Sequence, residues 1–212
     1  MLLPLCSLAA CRVRDSGRVD STALQRGPDG PVLRVTILSD SGDTRLPPAR
    51  EAIAHWTSEF RRLNRRLQLD SGTVRADAIA DDVVRAAQNE ATLGGGPSTD
   101  RLLAKLADTP GDIVVILTHA DLISFSVGWR SGSKGVVAIR RADILPLSLP
   151  NTVRNVVAHE VGHVLGLGHN GDSTTLMCGR PASCRPIAFV SNSARFFPLT
   201  KEDERWIESR WP

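Results

Sequence analysis

Residues 159–170 read HEVGHVLGLGHN, and the rest of the chain is best understood outward from them. On an α-helix, positions four apart share one face, so His159 and His163 can close on a single cation. Glu160 lies one step round the helix, near enough to hold a water beside that cation without becoming a ligand. Gly166 stands where a helix end needs a residue tolerant of left-handed φ, which lets the chain double back and makes His169 a third ligand. Three neutral imidazoles at about 2.0–2.1 Å leave one tetrahedral position for water, the open coordination of a catalytic zinc. The expected cofactor is one Zn2+ ion. A lone helical histidine is more often a packed or solvated side chain; the complete spacing HExxHxxGxxH carries the argument.

Just downstream, STTLMCG places Met177 eight residues after His169, one of only two methionines in the chain. Together these residues resemble the metzincin clan of zinc endopeptidases, whose signature ends in a Met-turn. Among metzincins the sequence is most similar to matrixins, where a later helix reads like LTxxDxxxI; here Leu199 to Ile207 reads LTKEDERWI. The resemblance implies a zincin/metzincin fold of the α/β (α+β) class. That fold is a twisted, mixed, mainly parallel sheet with long helices, an active-site helix, a Met-turn and a C-terminal helix. It also implies Glu160 as general base, Met177 as an apolar floor beneath the ligands, and a sheet edge that pairs with an extended peptide substrate. Asn170 departs from the serine or threonine usual in matrixins. The chain has no tyrosine, which sets aside the branches that use one as an extra ligand. Archaemetzincins are a further relative, although their additional cysteine pairs are missing.

Upstream, VLRVTIL at 32–38 alternates and is rich in β-branched residues, a first strand. SDSGDTRLPP supplies a turn and a helix start, with proline tolerated in the first turn. Ala49, Ala52, Ile53, Trp56, Phe60, Leu63 and Leu67 then recur at helical spacing. LQLDSGTV at 67–74 suits a second strand, and helices are expected over 76–89 and 100–107. DIVVILT at 112–118 is the most apolar run and the best central strand. FSVGWR and GVVAIRR, joined by SGSK, form a hairpin, one arm of which should be the sheet edge. Asn151 is placed to cap the zinc helix, whose inward face is Val153, Val156, Val157 and Val164. Thr200 and Asp203 have capping-box spacing before the last helix. His55 and His119 read as ordinary polar residues.

At 212 residues, 42% hydrophobic and 23% charged, the chain suits one globular domain. Its net charge of +3 comes with no basic stripe interleaved with aromatics, so a nucleic-acid partner is not expected. Residues 1–11, MLLPLCSLAAC, are apolar and end like a bacterial lipobox, with Cys11 as the lipidated residue. The segment is short and lacks a basic start, defects that a true start lying upstream would remove. Residues 12–31 read as a flexible tether, and 32–212 as the catalytic domain. Cys178 and Cys184 flank GRPAS and suit a local disulfide in an oxidising compartment. The functional expectation is an extracytoplasmic zinc endopeptidase acting on extended peptides, with a lipid anchor to a membrane. A catalytically idle zinc module, and a zinc amidase acting on cell-wall peptide, are the competing readings.

Overall fold

The computed structural model describes residues 25–27, 30–76, 79–91, 95–129, 134–143, 145–179 and 194–211. Strand β1 (Gln25–Gly27) turns back antiparallel onto β2 (Gly30–Leu38), so the sheet reaches into the stretch whose composition suggests only a tether. Helix α1 (Leu46–Arg62) starts at the expected prolines and buries Ala49, Ala52, Ile53, Trp56 and Phe60 along one stripe. Strand β3 (Gln68–Arg75) runs parallel to β2. Helix α2 (Asp81–Ala91) starts later than the pattern suggests, and α3 (Pro97–Lys105) starts earlier, with a proline in its first turn. Then come β4 (Ile113–Leu117), β5 (Phe125–Val127) and β6 (Gly135–Ile139), the zinc-motif helix α4 (Pro150–Val164) and the last helix α5 (Lys201–Arg210).

The six strands form one mixed sheet, ordered β1-β2-β4-β6-β5 with β3 on β2. β2, β3, β4 and β6 are parallel, whereas β5 lies antiparallel to β6 at the edge. All five residues of β4 are buried, because the sheet is covered on both faces. Val35, Ile37, Ile113, Val115 and Val137 face α1 and α4. Their alternates, Val114, Ile116, Val136 and Ala138, face α2 and α3. The connecting SGSK lies largely outside the described residues.

Asn151 does not cap α4. The helix begins one residue earlier, at Pro150, after an extended Leu149; proline's missing N–H costs nothing in a first turn. Asn151 is instead fully buried, and its Oδ1 accepts from the Arg195 amide at 3.1 Å. One turn on, Asn155 donates to the Arg195 carbonyl at 2.9 Å and accepts from the Phe197 amide at 2.9 Å. Two buried asparagines thus pair the backbone of residues 195–197 along the flank of α4.

Candidate metal centre

Helix α4 carries His159 and His163 on one face, with their Nε2 atoms 3.0 Å apart. It ends in a Schellman turn: the Leu167 amide bonds the Gly162 carbonyl at 2.9 Å and the Gly166 amide bonds the His163 carbonyl at 3.0 Å. Gly166 holds φ at 97°, as the reversal requires. The chain then returns so that His169 Nε2 lies 3.2 Å from that of His159 and 2.9 Å from that of His163. Among the described residues this trio is the one group of three or more potential ligands whose donor atoms converge.

Backbone carbonyls decide what these nitrogens can do. His159 Nδ1 lies 2.7 Å from the Leu176 carbonyl, and His163 Nδ1 lies 2.8 Å from the Leu167 carbonyl. A carbonyl only accepts, so each Nδ1 carries the ring proton and each Nε2 presents a lone pair. Two lone pairs facing each other at 3.0 Å are repulsive unless a cation lies between them. Nitrogens bound tetrahedrally to zinc at about 2.0–2.1 Å stand about 3.3–3.4 Å apart, within a few tenths of an ångström of the spacing seen. The donor set fits a zinc ion.

Burial shapes the electrostatics further. It pushes the imidazoles of His159 and His163 down to about 4 and that of His169 down as well, which keeps all three in the neutral, ligating form. Burial moves Glu160 the other way, raising its carboxyl, while the nearby His163 and the Ser126 hydroxyl partly oppose it. Ser126 is a residue that sequence reasoning missed. Its signal was its position, a lone hydroxyl between Phe125 and Val127. Those two pack toward α2 and α3, so strand alternation turns Ser126 toward α4.

Met177 is fully buried under the site. Its Sδ lies 2.6 Å from where a Cβ on Gly162 would stand, so only glycine there lets the sulfur seat against the helix. Cys178 is disulfide-bonded; Cys184, its expected partner, and Cys11 lie outside the described residues. The two remaining histidines stand elsewhere. His55 stacks on Phe196 with ring centroids 3.9 Å apart, and exposed His119 pairs with Asp40 at 2.6 Å.

Three of the four tryptophans donate their indole N–H to α4 or its C-cap residue. Trp56 bonds the Ala158 carbonyl at 2.9 Å, Trp129 that of Val164 at 2.7 Å and Trp211 that of Leu165 at 3.1 Å. The last two carbonyls belong to the helix end, where intrahelical partners run out. Trp206 lies against Gly166 on the outside of the turn.

A parallel sheet with an antiparallel edge, a helix bearing HExxH, a third histidine after a glycine turn and a buried methionine beneath define a metzincin-type zinc metallopeptidase. A family model described as matrixin matches residues 54–209, and the chain belongs to the matrixin family. The fold is also similar to the crystal structure of archaemetzincin from Methanopyrus kandleri. That match has 18% identity and a TM-score of 0.52, covering 84% of this chain and 94% of that one. A search of curated proteins finds no match.

Proposed function

We propose that this chain is a zinc-dependent endopeptidase that cleaves extended peptides outside the cytoplasm. Glu160 is the observation that carries the reading. Its side chain is buried next to the His163 imidazole, and no lysine or arginine among the described residues forms an ion pair with it. A buried, unpaired carboxyl costs stability, an expense that a purely structural metal site does not need. The metal, held by His159, His163 and His169, would supply Lewis acidity, polarising the scissile carbonyl and lowering the pKa of a bound water toward about 7.

The chain's own residues do the rest. Glu160 takes the proton of the attacking water on a carboxylate oxygen and delivers it to the nitrogen of the leaving amine. Ser126 on β5 lies near enough to the carboxyl to favour its ionised form. Strand β5 pairs only with β6 among the described residues, so its outer edge can accept a substrate main chain. The disulfide at Cys178 supports export to an oxidising compartment, and Cys11 is the proposed lipid anchor, with the residues after it as tether.

Purified protein should cleave members of a diverse peptide library, and a chelator should abolish the cleavage. Glu160→Gln should keep one zinc per chain while hydrolysis falls about 10²–10⁴-fold, and His163→Ala should lose the metal. Parental rates in Glu160→Gln would remove the assigned base. A parent that binds zinc yet cleaves no peptide would favour the idle module.

A further inference from the structure

His169 differs from the other two histidines of the cluster. His159 and His163 each have Nδ1 fixed by a backbone carbonyl, whereas among the described residues no hydrogen bond holds Nδ1 of His169, the most exposed of the three. The restraint lies one residue on. The Asn170 amide donates to the Met177 carbonyl at 2.9 Å, and its carbonyl accepts from the Gly179 amide at 3.1 Å. Its side-chain Oδ1 accepts from the Asp172 amide and from Thr175 Oγ1, both at 3.0 Å. Its Nδ2 donates to Asp203 Oδ2 at 3.3 Å. That same oxygen takes the amide and the hydroxyl of Thr200 at 2.9 and 2.7 Å in the box that starts α5. Serine or threonine could not span these partners, because neither combines an acceptor with a separate amide donor.

We propose that Asn170 is the positioning residue for His169, and that through Asp203 it ties the third ligand to the docking of α5. Outer partners of a metal ligand act by fixing its orientation before the metal arrives. Here the backbone beside the ring is fixed instead of the ring nitrogen. The inference rests on the reading of His159, His163 and His169 as zinc ligands.

Zinc affinity of the full chain, measured by competition with a chromophoric chelator, tests it without reference to activity. Asn170→Ala should bind zinc about 10–100-fold more weakly than the parent. Thr200→Ala, which removes the cap hydroxyl but leaves the Asn170–Asp203 bond, should lower the melting temperature and keep parental zinc affinity. Equal affinity in Asn170→Ala and parent overturns the proposal. So does a loss in Thr200→Ala as large as in Asn170→Ala, which would make the effect one of general stability. Should Asn170→Ala fail to fold, Asp203→Asn reads the same bond: it keeps the size and one acceptor oxygen, removes the charge and turns the other oxygen into an amide donor. It should weaken zinc binding by a smaller factor, and unchanged affinity again overturns the idea. A parent that takes up no zinc would bring down the metal reading itself, an outcome distinct from a parent and Asn170→Ala that bind equally well.

Discussion

The burial that keeps His159 and His163 ready for a metal has a cost that appears when the metal is removed. In the folded chain both imidazoles are held near 4, whereas in an unfolded chain they take up protons near 6.5. As pH falls through that window the unfolded state binds protons that the folded state refuses, so folding loses stability between about 6.5 and 4. His169, also lowered, adds to the loss. Glu160 acts in the opposite sense: its raised carboxyl is a burden at neutral pH that acid relieves. With three groups against one, chelator-treated protein should lose a few kcal/mol of unfolding free energy across that range, measured by urea denaturation. A flat profile would show that the cluster is solvated in the metal-free chain. The cluster was legible in the sequence because its members are close neighbours whose spacing alone sets their geometry. Ser126 and Asn170 were not legible in their roles: one arrives from an edge strand, and the other reaches an oxygen 33 residues away.

Among elements, the least readable link is Arg45, which precedes α1 and looks like one more turn residue. Its guanidinium is 2% exposed, paired with buried Asp43 at 2.6 Å. It donates to the carbonyls of Leu117 and Thr118 at 3.0 and 2.8 Å and of Ile139 and Arg140 at 3.2 and 2.6 Å. These carbonyls lie where parallel strands β4 and β6 end, so one side chain staples both strands to the start of α1. Arg45→Met should cost about 3–5 kcal/mol, since it leaves the Asp43 carboxylate and four carbonyls short of a partner. Asp43→Asn in the same chain should recover part of that, with both changes read from urea midpoints. No local pattern announces such a staple, because its partners lie 72 to 95 residues away. Periodicity did place the helices and strands, and their boundaries moved where a proline or a distant partner outweighed local preference, as at Pro150 and Asn151.

At the scale of the whole molecule, the sequence announced a central strand, an edge hairpin and several helices, but not the order of the strands or the face each helix covers, which are set by packing between distant segments. One consequence of that packing concerns light. The chain has four tryptophans and no tyrosine; three indoles are bonded to α4 or its C-cap residue and the fourth rests on the turn that follows. Its ultraviolet fluorescence is therefore a spectroscopic gauge of a single helix. Titrating zinc into metal-free protein should change the emission until one equivalent is bound, and a chelator should reverse the change. Emission indifferent to zinc would mean that the helix end and its turn do not feel the ion. Otherwise the chain carries its own dye, placed by the same hydrogen bonds that steady the helix bearing His159 and His163.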